Sequence, residues 1–256
     1  MTLEDLWLTI GGVWLVVFGA VFLANVAGNQ LGRRRRGSGL DAARLGTVQG
    51  GLLGLLGLLL AFSFATAAGR FADRQELTLK ESNAIGTAYL RADLLPSPHA
   101  EALRTALKSY VTTRIAFYDA GSDPGAVQAA IARGEQQHQT IWSAGVAGVR
   151  ENPAATTVVV AALNEVIDLH AARVDALHRH LPTAVVLLLL LTAMMVSASV
   201  GFTTGLTGVR HVWGSVAFVL VTAAVLSLTL DLDFPRAGFV RVGQLPMLEL
   251  QRSLEK

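Results

Sequence analysis

Hydrophobic and polar positions divide the chain into four uncharged runs, a short basic loop, a long polar middle and a polar tail. Leu6 to Ala27, Leu45 to Gly69, Thr183 to Gly208 and Val212 to Leu230 contain no charged side chain. About 20 apolar residues in an α-helix cross the hydrocarbon core of a bilayer, so each run is long enough for one crossing. The pattern predicts an all-α membrane protein with four transmembrane helices and a helical module between spans two and three. The expected division is 1–69 for two spans and the basic loop, 70–182 for an extramembrane helical module, 183–230 for two further spans, and 231–256 for a C-terminal tail.

The second run has a periodicity of its own. Gly46, Gly50, Gly54, Leu58, Phe62 and Thr66 recur every fourth position and form one slowly winding stripe on a helix. Small residues at this spacing allow close helix packing in lipid. The same stripe also suits an axial pore, with Gly54, Leu58, Phe62 and Thr66 lining it and Leu58 and Phe62 as an apolar constriction. Arg70 and Arg74, one turn apart just beyond the run, would ring the pore mouth; snorkelling or a salt bridge is the simpler alternative.

In the middle segment eleven basic residues face twelve acidic ones. Ser97-Pro98, Asp123-Pro124 and Asn152-Pro153 each place a capping side chain before a proline, which marks helix starts. Four helices are expected: from the second span to about Leu94, Pro98 to Tyr118, Pro124 to Arg150, and Pro153 to Leu181. On the last, Leu163, Ile167, His170, Val174, Leu177 and Leu181 alternate spacings of four and three, a packing seam. Both flanking helices are expected to continue into spans. Asn164, Glu165, Asp168, Arg173, Asp175, His178 and His180 suit a solvated face, with His170 buried and hydrogen-bonded, and no metal site is assigned. Glu81 and Asn83, on a helix otherwise offering Ala84, Gly86 and Ala88 for packing, are expected to be buried and paired.

Composition agrees with the membrane reading: 52% of residues are hydrophobic and only 16% charged, against roughly 25% charged in soluble domains. With no cysteine, disulfide, thiol and cysteine-ligated metal chemistry are excluded. Phosphate-binding, dinucleotide, metalloprotease and serine-hydrolase motifs are missing, so no catalytic residue and no cofactor is assigned and the protein is not expected to be an enzyme. The net charge of +2 gives no footing for nucleic acid. Its basic excess is local, in Arg33 to Arg36 and Arg44. Basic short loops stay in the cytoplasm, which puts both termini and the helical module of this multi-pass inner-membrane protein on the extracytoplasmic side. The tail, too polar for membrane, is expected to lie along the helical module of its own or a neighbouring subunit. Pro235 and Pro246 argue against a strand there.

Several stretches resemble a known family. LLLAFSFATAAGRFADRQ is similar to the bestrophin channel segment in which a leucine-rich pore helix reaches a phenylalanine and, eight residues later, an arginine, an aromatic and an acid; here these are Phe62, Arg70, Phe71 and Asp73. ESNAIGTAYLRADLLP, ALNEVIDLHAARVDALHRHLP and LDLDFPRAGFVRV resemble the bestrophin-like bacterial membrane proteins, so that the likeness covers roughly Gly50 to Val242. The resemblance implies a homo-oligomer, a pentamer by preference, passing chloride or another small anion. It places the neck at Gly54, Leu58 and Phe62. It also implies a cytoplasmic helical module, opposite to the basic-loop rule.

The expectation is therefore an oligomeric membrane channel, conducting anions or small solutes passively through a pore lined by the second span. The alternative is a non-conducting membrane sensor or scaffold whose helical module binds a partner or ligand.

Overall fold

The structure, a computed structural model, describes residues 3–40, 42–121, 123–208, 212–234, 236 and 239–255. Within them the chain is helical, with no strand. In order it forms α1 (Leu3–Arg34), α2 (Ala42–Arg91), a 3₁₀ turn (Ala92–Leu94), α3 (His99–Asp119), α4 (Pro124–Glu151), a second 3₁₀ turn (Pro153–Ala155), α5 (Thr156–His178), α6 (Thr183–Thr207), α7 (Val212–Asp233) and α8 (Leu245–Leu254). Among the described residues four helical stretches are long and apolar enough to cross a membrane. The side chain of Trp7, in the first uncharged run, lies outside the described side chains, as do Arg210 and His211 between the third and fourth runs.

Two compact units divide the chain, one of residues 1–69 and 180–240, the other of 70–179 and 241–256. In the first unit Val17, Val21, Leu56, Leu189, Ala193, Val196, Val219, Ala223 and Leu226 form the core. Its tightest seam joins α1 to α6. A Cβ added at Gly28 would lie 2.0 Å from the carbonyl oxygen of Ala198, and one at Gly32 2.1 Å from that of Phe202. Reciprocally, a Cβ at Gly201 would meet the Asn25 oxygen at 2.0 Å and one at Gly205 the Asn29 oxygen at 2.2 Å. Residue numbers rise together along both helices, so the two run parallel, as first and third spans must. Asn25 Nδ2 donates to the Ser197 carbonyl at 3.0 Å and Ser197 Oγ to the Val21 carbonyl at 2.9 Å. Hydrogen bonds thus add to van der Waals packing where lipid offers no hydrophobic drive.

This seam corrects one expectation. The first helix does not stop where the uncharged run gives way to the basic loop after Ala27 but runs on to Arg34, with Gly28 and Gly32 packed against α6. The chain turns only at Gly37, where φ is +84° and a glycine suits the left-handed conformation.

The second unit packs the charged half of α2 against α3, α4, α5 and α8 around Ile85, Leu103, Leu107, Tyr110, Ile141, Leu163 and Met247. α2 runs without a break for 50 residues; no proline occurs before Pro96, where an X-Pro step disfavours helix. Asp123 caps α4, accepting from the N–H groups of Gly125 at 2.9 Å and Ala126 at 3.3 Å. The other two expected caps are not formed: Ser97 Oγ donates to Glu101 at 3.0 Å, and Asn152 Nδ2 donates to the Leu94 carbonyl at 2.8 Å. α5 also stops short of Leu181, ending at His178. Arg74 takes the carbonyls of Ala176 at 3.1 Å and Arg179 at 2.8 Å, and the Leu181 N–H turns to Asp233 Oδ2 at 2.7 Å. Continuity into a span therefore holds for α2 and not for α5. In the tail, α8 lies on the second unit of its own chain, burying Met247, with the Pro246 carbonyl accepting from Ser82 Oγ at 2.9 Å.

Candidate functional site

The apolar half of α2 has two unlike faces. Leu52, Leu56, Leu59 and Leu60 turn into the core of the first unit, and Ser63 and Ala67 are buried. The opposite face carries Gly54, Leu58, Phe62 and Thr66, all exposed. Leu58 is 53% and Phe62 65% exposed, and nothing stands within 4 Å of a Cβ added at Gly46, Gly50 or Gly54. Among the described residues, then, the stripe is largely uncovered. The Thr66 hydroxyl donates to the Phe62 carbonyl at 2.8 Å, leaving its oxygen to accept.

The two arginines beyond the stripe differ. Arg70 is half-buried. Arg74 is buried, its guanidinium spent on the C-terminal carbonyls of α5, where a cation is favoured by the unsatisfied oxygens and the helix dipole. The guanidinium that the sequence reading places at a pore mouth thus meets the end of α5 within the chain.

A second feature is polar and internal. Glu81 of α2 is fully buried, its Oε1 2.8 Å from Arg114 Nε of α3 and its Oε2 paired with Arg173 Nη1 of α5. Tyr110 Oη donates to Glu81 Oε1 at 2.9 Å. Having given its one proton, the hydroxyl accepts from the two rings beside it, His170 through Nδ1 at 3.0 Å and His138 through Nε2 at 3.3 Å. The two imidazoles meet edge to face, 4.6 Å between centroids. A Cβ at Gly134 would fall 2.7 Å from His170 Cε1, so α4 has room for this ring only as glycine. Burial, then the Glu81 charge, raise the Tyr110 phenol well above its ordinary value. Burial, then the Arg114 charge, hold His138 below its ordinary value.

Sequence reasoning found Glu81 and His170 but placed two partners wrongly. Asn83 is exposed, while Arg173, assigned to a solvated face, is buried. Tyr110, Arg114 and His138 went unnoticed. Their signal is positional: Leu103, Leu107, Tyr110, Arg114 and Phe117 repeat at four and three along α3, as do Ile131, Gly134, His138 and Ile141 along α4. A charged or polar group on an apolar seam marks a buried partner.

Fold and composition define a four-span, all-helical membrane protein. The chain belongs to the bestrophin-like family: the Bestrophin-like domain matches residues 19–247. A bacterial bestrophin homologue from Klebsiella pneumoniae, solved by zinc phasing, has the same fold at a TM-score of 0.64 and 17% identity, over 96% of each chain. A variant of that homologue gives a TM-score of 0.67 at 16% identity, over 96% of this chain and 97% of that one. A structure described as a membrane protein gives 0.65 at 18% identity, over 96% and 95%. No curated protein matches the chain in sequence.

Proposed function

We propose that the chain is one subunit of a homo-oligomeric channel in the bacterial inner membrane, a pentamer, passing chloride or another small anion or solute passively along its axis. The observation that carries this reading is the exposed face of α2. A membrane helix that buries Leu56 in its own subunit and leaves Gly54, Leu58, Phe62 and Thr66 uncovered offers one continuous face to an axis shared with other copies. Membership of the bestrophin-like family supports the same arrangement.

In this arrangement Leu58 and Phe62 form stacked apolar rings that gate by dewetting, and Arg70 stands at the mouth. Arg74 positions α5 and does not meet the permeant ion. The arginine loop Arg33 to Arg36 lies in the cytoplasm and the helical unit outside, by the charge rule. Nothing in the reading calls for catalysis.

Halide flux from liposomes carrying the purified protein, with Phe62→Ala beside the parent, tests the proposal. Anion-selective flux that the substitution changes supports it. No flux from either protein, with insertion and a symmetric oligomer verified, overturns conduction and favours a non-conducting sensor or scaffold.

A further inference from the structure

We propose that Arg33, Arg34 and Arg35 hold the phosphate groups of anionic phospholipid at the end of the first span, while Arg36 fixes the loop that presents them. The placement is built by packing. A Cβ at Gly205 would lie 2.9 Å from the Arg33 backbone nitrogen, so the last turn of α1 is seated on the end of α6. Arg36 then reaches across: its Nη2 donates to the Gly205 carbonyl at 2.9 Å and its Nε to the same oxygen at 3.3 Å. That carbonyl belongs to the last turn of α6, where acceptors lack intrahelical donors and a cation is favoured. Gly37 and Gly39, both at positive φ, turn the chain back toward α2 at once, which keeps the arginines at the end of the span.

Three guanidiniums are left to face outward. Arg33, Arg34 and Arg35 are exposed, and their side chains have no hydrogen bond or ion pair to a described residue. Asp41 is the one acid between Gly28 and Arg44, and Gly201 to His211, at the matching end of the third run, adds Arg210 and no acid. Six arginines at this end of the spans thus stand against one carboxylate. Depth selects the partner. The apolar stretch long enough to cross a membrane runs from Trp14 to Arg34, so Arg33 and Arg34 stand in its final turn, at the level of lipid headgroups, where long cationic side chains extend to phosphate. Leu31 and Leu40, 56% and 48% exposed beside the arginines, suit the acyl boundary, and an acidic protein or a nucleic acid would have to approach through that layer. The basic residues are all arginine, whose guanidinium gives paired N–H groups to a phosphate where lysine offers a point charge. The surface lies wholly in the first unit and does not depend on conduction along α2.

Full-length protein reconstituted in phosphatidylcholine, with spin-labelled phosphatidylglycerol or spin-labelled phosphatidylcholine as tracer, tests this through the fraction of each label that the protein immobilises. Phosphatidylglycerol should be favoured about threefold or more at low salt, falling toward parity in about 1 M salt. The triple substitution Arg33→Gln, Arg34→Gln, Arg35→Gln should lose most of the preference while melting with the parent in phosphatidylcholine. Arg36→Gln should instead lower the melting temperature there; an unchanged one would overturn its fixing role. Exchanging chloride for inorganic phosphate at constant ionic strength should leave the preference in place. No preference in the parent, a preference that the triple substitution leaves intact, or displacement of the lipid by free phosphate overturns the proposal.

Discussion

Glu81 and Arg173, 92 residues apart in sequence, meet as a carboxylate and a guanidinium with almost no access to solvent. The same carboxylate faces Arg114, so α2, α3 and α5 are tied through one side chain. Glu81→Gln leaves two buried cations without their counter-charge, and breaking such a pair from one side costs about 3–5 kcal/mol. The expected result is a sharply lowered thermal midpoint and faster proteolysis within residues 70–179, while Asn83→Ala, at an exposed site, changes little. Equal melting of Glu81→Gln and parent would refute this account of the cluster.

Two glycine stripes predict opposite outcomes. At Gly201 even a methyl group would meet the Asn25 carbonyl oxygen at 2.0 Å, and backbone cannot give way as a side chain can. Gly201→Ala should force α1 and α6 apart and destabilise the first unit by about 1–3 kcal/mol or more. Gly50→Ala, with nothing within 4 Å, should leave subunit stability unchanged or slightly raised through helix propensity. Melting of both variants in mild detergent decides the matter.

These stripes also mark what the sequence could and could not disclose. Uncharged runs, the proline-marked start of α4 and the burial of Glu81 and His170 are local or periodic properties, legible because each is written in neighbouring residues. The spacing Gly28, Gly32 and Gly201, Gly205 is equally regular. It escaped notice because its meaning depends on two helices 170 residues apart lying side by side. Arg114 was hidden for a related reason: a charged residue is normally solvated, and only its register between Tyr110 and Phe117 shows that it is not. The early end of α5 rests on Arg74, a partner far away in sequence.

If the exposed face of α2 surrounds a pore, Gly54 is where that pore can be narrowed without disturbing the subunit. Gly54→Leu adds a bulky apolar side chain where a Cβ meets nothing. Stability of the subunit should be kept while halide flux through liposomes falls by about tenfold or more, as expected for an extended dewetted constriction. Unchanged flux in a parent that conducts would move the pathway away from this face.

The absence of native cysteine makes sidedness directly measurable. Gln136 is exposed on α4, so Gln136→Cys introduces a single accessible thiol in the helical unit. A membrane-impermeant maleimide added to intact spheroplasts should label it without lysis if the arginine loop is cytoplasmic. Labelling only after lysis would place the helical unit in the cytoplasm.

The imidazole of His138 gives the helical unit an acid limit. Burial, followed by the Arg114 charge, lowers its pKa below the ordinary 6.5, with Glu81 and Glu135 opposing. The unfolded chain takes up a proton near pH 6.5, whereas the folded protein does so only at lower pH, so protonation favours unfolding. The sign is fixed: this contribution is complete above the unfolded value and is lost as pH falls through it toward the folded one. One such proton changes stability by at most about 1.4 kcal/mol per pH unit. Melting temperatures should therefore be flat from pH 8 to about pH 7 and decline below about 6.5. His138→Gln, which keeps an N–H for the Tyr110 oxygen and cannot be protonated, should decline less steeply over the same range. Parallel decline of parent and variant would assign the acid sensitivity to other groups.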